Sequence, residues 1–196
     1  MVANAAPPAK PAHPPRERIL ATAYELFSHR GVQNVGIDEL IERAGVAKAT
    51  LYRHFPSKED LVLAFLEQRE QLWTYGWVEA EARRRGQTPE EQLLAVFDLF
   101  DEWFHRDDFE GCSFINILLE IGNLDHRVGR ASADYLANIR SVVRMLAQEA
   151  GLRDPDAFAL SWHILMKGSI VQAAEGDRDA AKRAQAMARL LIEQHR

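Results

Sequence analysis

With 196 residues, 47% hydrophobic and 27% charged, the chain is long enough for one sizeable core or two modest ones, and too apolar for disorder to be its default. No run approaches the ~20 apolar residues that cross a bilayer, and the N-terminus lacks the apolar segment of a secretory signal, so a cytoplasmic protein is expected. One cysteine, Cys112, excludes an intramolecular disulfide and a thiolate zinc site, and a net charge of −5 argues, taken alone, against nucleic acid.

Residues 1–15 hold five prolines (Pro7, Pro8, Pro11, Pro14 and Pro15) among alanines and show no apolar periodicity, which predicts a disordered arm. From Arg16 the stripe Ile19, Leu20, Ala23, Leu26 and Phe27 predicts helix one, closed at Gly31. Ile37, Leu40, Ile41 and Ala44 make a short helix two that stops at Gly45; Val46, Leu51 and Phe55 give helix three an inward side. Two short helices around a glycine turn have helix-turn-helix spacing. Ser57 and Asp60 open a long helix four through about Arg84, and Thr88, Pro89 and Glu91 form a stronger start for helix five. Along helix five, Leu93, Phe97, Phe100 and Phe104 recur at helical spacing. Helix six falls between Gly111 and Gly122, and helix seven runs from Arg127 to Glu149. Asp154 and Pro155 open helix eight, and Asp177 is a candidate cap for helix nine. Helix eight carries one charge, Lys167, between Ala157 and Ala174, and a helix apolar nearly all round must be buried on most sides. A symmetric dimer is the commonest way to bury it in a domain this small. The expected fold is all-α with about nine helices.

The distribution of charge points the other way from its sum. No acid stands between Glu42 and Glu59, whereas Arg43, Lys48, Arg53 and Lys58 are basic. Within this patch the run Gly45-Val46-Ala47-Lys48-Ala49-Thr50-Leu51-Tyr52-Arg53-His54-Phe55-Pro56-Ser57-Lys58-Glu59-Asp60-Leu61 resembles the DNA-binding domain of the tetracycline-repressor (TetR) family. The resemblance covers residues 16 to about 63. It implies a helix-turn-helix domain over 16–62, a helical effector-binding and dimerisation domain over 63–196, a homodimer through the last two helices, and release, or less often tighter gripping, of a palindromic operator when a small molecule binds. Two positions depart from the family pattern: Gly36 and Ala47 stand where hydroxyl caps are usual, and a lost cap costs about 0.5–2 kcal/mol.

With Val46, Leu51 and Phe55 inward, helix three offers Lys48, Ala49, Thr50, Tyr52, Arg53 and His54 to DNA. Lys48 and Arg53 suit guanine edges, and Ala49 and the Thr50 methyl suit thymine. The resemblance gives Tyr52 and His54 to phosphates; Lys58 adds charge where free helix N–H groups favour an anion. Glu59 and Asp60 are expected to turn away from DNA, and Lys10 in the arm is a candidate for the minor groove.

In the second domain Phe100, Trp103, Phe104, Phe114, Leu118, Trp162, His163 and Met166 are read as an aromatic-lined pocket for a hydrophobic or aromatic effector, with core packing as the competing reading of each. Cys112 begins helix six, where the helix dipole lowers a thiol pKa, and Lys167 is a candidate basic neighbour; an electrophile- or redox-sensing regulator is therefore an alternative. Asp98, Glu102 and His105 have metal-compatible spacing on helix five, but a solvated face explains them, and no nucleophile or cofactor motif accompanies them. Neither metal, cofactor nor catalysis is expected. A helical interaction protein without operator binding is the other alternative.

Overall fold

The computed structural model describes residues 13–196, and among these every regular element is helical. The arm expected over 1–15, with Lys10, lies outside the described residues except for its end. There Pro15 is the first residue of α1 (Pro15–Arg30), the one helical position where a missing N–H costs nothing. Helix one thus starts a residue before the expected boundary. α2 (Ile37–Ala44) ends at Gly45, whose φ of 62° and ψ of 43° lie in the left-handed region that only glycine enters freely. Arg18 Nη1 donates to the Gly45 carbonyl (3.2 Å), fastening that turn to α1. α3 (Lys48–His54) follows. Gly36 and Ala47 do stand at the N-caps of α2 and α3, and neither start has a side-chain cap bond. Ile19, Ala23, Leu26, Phe27, Leu40, Leu51 and Phe55 close the small core between the three helices.

α4 spans 58–85 in three parts: an α-helical start (Lys58–Arg69), a widened π-helical middle (Glu70–Glu79) and an α-helical end (Ala80–Arg85). Ser57 Oγ accepts the Asp60 N–H at its start. α5 (Pro89–Phe104) opens on a full capping box, Thr88 accepting the Glu91 N–H while Glu91 accepts the Thr88 N–H. α6 is Ser113–Ile121 and α7 Arg127–Glu149. α8 (Pro155–Ala174) is capped by Asp154, whose carboxylate accepts the Ala157 N–H. α9 (Ala180–His195) begins three residues after Asp177 and has no side-chain cap, so the expected cap is absent. The Asp177 carboxylate instead accepts the Asp179 N–H and pairs with Arg183. The described residues form nine helices when α4 is counted once.

α1–α3 sit on the first turns of α4, which carries the chain into a bundle of α5, α7, α8 and α9, with α6 packed on α7. α7 passes so close to the preceding turn that a Cβ on Gly129 would lie 2.1 Å from the Asn123 carbonyl oxygen. Polar ties join the N-terminal unit to the bundle. Glu120 of α6 accepts the Val32 N–H (3.0 Å) and the Gln33 N–H after α1. Gln33 Nε2 returns a bond to the Glu120 carbonyl (3.0 Å). His29 pairs with Glu110 at 3.2 Å, and Arg127 with Asp60 at 3.2 Å. No helix of the described residues is long and apolar enough to cross a membrane.

Candidate nucleic-acid interface and interdomain cleft

The inward residue Leu51 anchors α3 with no exposure, Phe55 closes its end at 3%, and Val46 is half-buried at its entry. Helical geometry then turns Lys48, Ala49, Tyr52 and Arg53 to solvent, with Thr50 and His54 half-buried beside them. The six residues of α3 expected to meet DNA are therefore all at least partly exposed. Lys48 Nζ lies 3.6 Å from the Asp38 carboxylate, a pair so exposed that water screens it and phosphate readily replaces it. Lys58 stands at the first turn of α4, half-buried; burial lowers its pKa, and the nearby Glu120 charge partly offsets that. Glu59 and Asp60 are drawn to α7, where His126 Nε2 is 3.2 Å from Glu59 and Arg127 bonds Asp60. That leaves the basic residues of this end facing outward with less acid beside them.

Residues expected to line an effector pocket are divided by the structure. Phe100, Phe104, Phe114, Trp162, His163 and Met166 are buried, each at most 4% exposed, and Leu118 is half-buried. Their rings pack on one another, as in Phe97 against Trp162 (5.1 Å) and Phe100 against Phe104 (5.7 Å). Between α4, α5, α7 and α8 lies a void of about 10 Å³, lined in part by Met166, which has room for one water molecule at most. These side chains are packed core here, and of the set only Trp103 borders a space large enough for a ligand.

That space is a cleft of about 440 Å³ between α1, the middle of α4 and the loop joining α5 to α6. Tyr24, Ser28 and His29 come from α1, Arg69, Trp73 and Trp77 from α4, and Trp103, Arg106, Asp108 and Glu110 from α5 and its loop. Nothing in the sequence pattern announces this cleft beyond Arg69, Trp73 and Trp77, which recur at four-residue spacing on a helix otherwise rich in charge.

Cys112 is corrected in direction. It does sit at the N-cap of α6, where the Phe114 and Ile115 N–H groups favour a thiolate, but it is 3% exposed and burial outweighs them, pushing its pKa up. Lys167 is near enough for its charge to favour the thiolate, yet its own pKa is drawn down by burial. Iodoacetamide at neutral pH is therefore expected to label the native protein more slowly than free cysteine. Labelling at the free rate would show an accessible thiolate.

The spacing of Asp98, Glu102 and His105 does not make one site. Asp98 accepts from Gln185 (2.6 Å) and Glu102 takes both Nη groups of Arg85 (2.6 and 2.9 Å). Donor atoms of Asp101, His105 and Asp179 do lie within 4.8 Å of one another, but Lys182 Nζ is 3.5 Å from Asp101 and 3.0 Å from Asp179. An ammonium group already supplies the positive charge those acids need.

A glycine-turned helix pair with a basic outward helix, set on a nine-helix frame, defines the class: a helix-turn-helix transcription regulator. Residues 19–65 match the family described as bacterial regulatory proteins, tetR family. A crystal structure of a TetR-family regulator from Streptomyces coelicolor superposes with a TM-score of 0.84 at 28% identity, covering 92% of this chain and 95% of that one. The activator FasR of Mycolicibacterium smegmatis is 35% identical over 92 residues, which is 47% of this chain and 41% of that protein. The repressor NemR of Escherichia coli K12 is 27% identical over 136 residues, 69% of this chain and 67% of that one. The match thus spans less than half of the length of FasR. Residues 19–65 thus carry the DNA-binding domain of the tetR family, and the described fold as a whole is that of TetR-family transcriptional regulators.

Proposed function

We propose that this chain is a ligand-responsive repressor that binds a palindromic operator as a homodimer and leaves it when a small aromatic or hydrophobic effector binds. Residues 16–62 are the reading domain and 63–196 the sensing and dimerising one. The observation that carries the DNA part is the outward face of α3, where Lys48, Ala49, Tyr52 and Arg53 stand free of the core while Leu51 and Phe55 hold the helix from behind. Arg53 offers two parallel donors to a guanine edge, and Tyr52, His54 and Lys58 serve the phosphates.

Relatives do not decide the sign of regulation, since one is named an activator and another a repressor. Release rather than tightening is supported by how the reading domain is held. Its ties to the bundle run through Glu120, Glu110 and Arg127, on α6, the loop before it and the start of α7, so a shift there moves α1 and α4 together. A Cys112-based sensor loses its premise, because the thiol pKa is raised and the group is enclosed. DNA binding separates the regulator from an interaction protein.

The test is fluorescence anisotropy of a duplex from upstream of the protein's own gene against a scrambled duplex, over a salt series. Wild type is expected to prefer the upstream duplex with salt-sensitive affinity. Arg53→Ala should cost about 1–3 kcal/mol and relax specificity, whereas Lys58→Ala should weaken both duplexes alike. Absence of binding at low salt would favour the interaction protein.

A further inference from the structure

We propose that the cleft between α1, the π-helical middle of α4 and the α5–α6 loop binds a planar aromatic acid carrying a hydrogen-bond donor set apart from its carboxylate. The cleft's volume of about 440 Å³ falls in the range of small-molecule sites and admits a two-ring compound. Its apolar wall is three indoles in mutual contact: Trp73 and Trp103 at 5.5 Å, Trp73 and Trp77 at 5.8 Å, Trp77 and Trp103 at 6.0 Å. Flat rings in a fixed cluster favour a flat guest, because stacking is gained without ordering flexible side chains.

Charge decides the sign of the polar group. Of the acids around the cleft, Asp108 is held by Arg106 through two bonds of 2.7 Å, and Glu25 is held from outside by Arg43 at 2.6 Å. Arg69 is different. Its hydrogen bond is to a neutral phenol, Tyr24 Oη at 2.7 Å, and its guanidinium lies 5.5 Å from that ring's centre. Glu110 is near enough to feel the Arg69 charge without bonding it, and a carboxylate in the cleft gives Arg69 the directly bonded charged partner that Tyr24 does not.

Three lining residues also keep a buried polar atom with no partner among the described residues: Ser28 Oγ, Trp73 Nε1 and Glu110 Oε2. Unmet polar atoms are costly, and their concentration on the walls of one cavity marks a place where a ligand supplies the missing bonds. Glu110 keeps its other oxygen on His29, so a ligand donor such as a ring hydroxyl completes its carboxylate after a small rotation. Trp73 and Trp77 stand on the widened turns of α4, and such turns are rare and frequently found at functional sites. Because α1 supplies Tyr24, Ser28 and His29, a molecule here touches the reading domain and the bundle at once.

This inference deepens the effector reading above and rests on it for the consequence at DNA, but ligand binding is measured without DNA. Isothermal titration calorimetry of the full chain with 6-hydroxy-2-naphthoate, its neutral carboxamide and a naphthyl trimethylammonium salt tests it. One site per chain is expected, with the acid about tenfold or more tighter than the amide and the cation weakest. Arg69→Met should erase the preference for acid over amide, and Trp77→Leu, at a half-buried position, should weaken both; urea unfolding of each variant verifies that it is folded. No acid binding at millimolar concentration, equal affinity for acid and amide, preference for the cation, or an Arg69→Met protein that still prefers the acid would each overturn the proposal. Operator binding, assayed separately, distinguishes the two readings: a protein that binds its operator but no probe loses only the cleft, and one that binds the acid but no DNA loses only the regulator.

Discussion

Replacing Ile164 by glutamate is expected to split the proposed homodimer and with it the operator affinity. Ile164 is 70% exposed on α8, between Leu160 at 54% and Val171 at 45%, and across from Met187 at 55% and Leu190 at 66% on α9. Five large apolar side chains are thus exposed on two helices that pack against each other, the kind of surface that a chain in water covers with a partner. Gly168 lies in the same stripe, and nothing stands within 4 Å of the Cβ it lacks, so a second helix has room to approach closely there. A two-fold axis through this face brings two copies of residue 164 into one interface. Each glutamate would then lose its hydration without a partner, at a cost of several kcal/mol per charge. A stable dimer should become a weakly associating monomer, a loss of about three orders of magnitude or more in association. Sedimentation analysis over a concentration series reads this directly, and half-operator affinity reports whether each reading domain survives. A variant that sediments as an unchanged dimer would place the interface elsewhere.

The second large effect is a pH dependence set by His163. This imidazole is 4% exposed inside α8, and burial, with Lys167 and Arg140 nearby, lowers its pKa from 6.5 to about 3. In the unfolded chain it takes up a proton near pH 6.5, whereas the folded protein keeps it neutral until about pH 3. The unfolded state binds more protons throughout that window, so the stability present above pH 6.5 declines as pH falls toward 3. By pH 5 the loss from this one group is about 2 kcal/mol, at roughly 1.4 kcal/mol per pH unit. Urea unfolding at pH 7.5 and pH 5 should show His163→Gln losing about 2 kcal/mol less than wild type between the two. The carboxylates titrate equally in both proteins, so the difference isolates the histidine. Identical losses would mean that His163 is already protonated in the folded state.

Local signals in the sequence suffice for the helices because capping and periodicity are short-range. Thr88-Pro89-Glu91 marks the start of α5 to the residue, and Gly45 the turn of the reading pair. α3 is legible for the same reason: Leu51 and Phe55 on one side oblige Lys48, Ala49, Tyr52 and Arg53 to the other. Where side chains from distant helices meet, periodicity is silent. Phe100, Trp162 and Met166 have the same pattern whether they line a cavity or fill one, and only close packing across α5 and α8 shows that they fill it. Cys112 misleads because a helix start lowers a thiol pKa locally, while the opposing burial comes from the whole fold. The cleft is invisible in the sequence because Ser28 and Glu110 are 82 positions apart and neither stands in any motif.

By itself, then, the amino-acid order determined the nine helices of the described residues, the glycine turn and the basic face that α3 shows to solvent, since each depends on residues within a few positions of one another. Tertiary structure alone decided which aromatic residues are core and which border open space, which acids are already paired and which cation is left for a ligand. Those are properties of neighbours distant in sequence, and their charge and burial exist only once α1, α4 and α5 have been brought together.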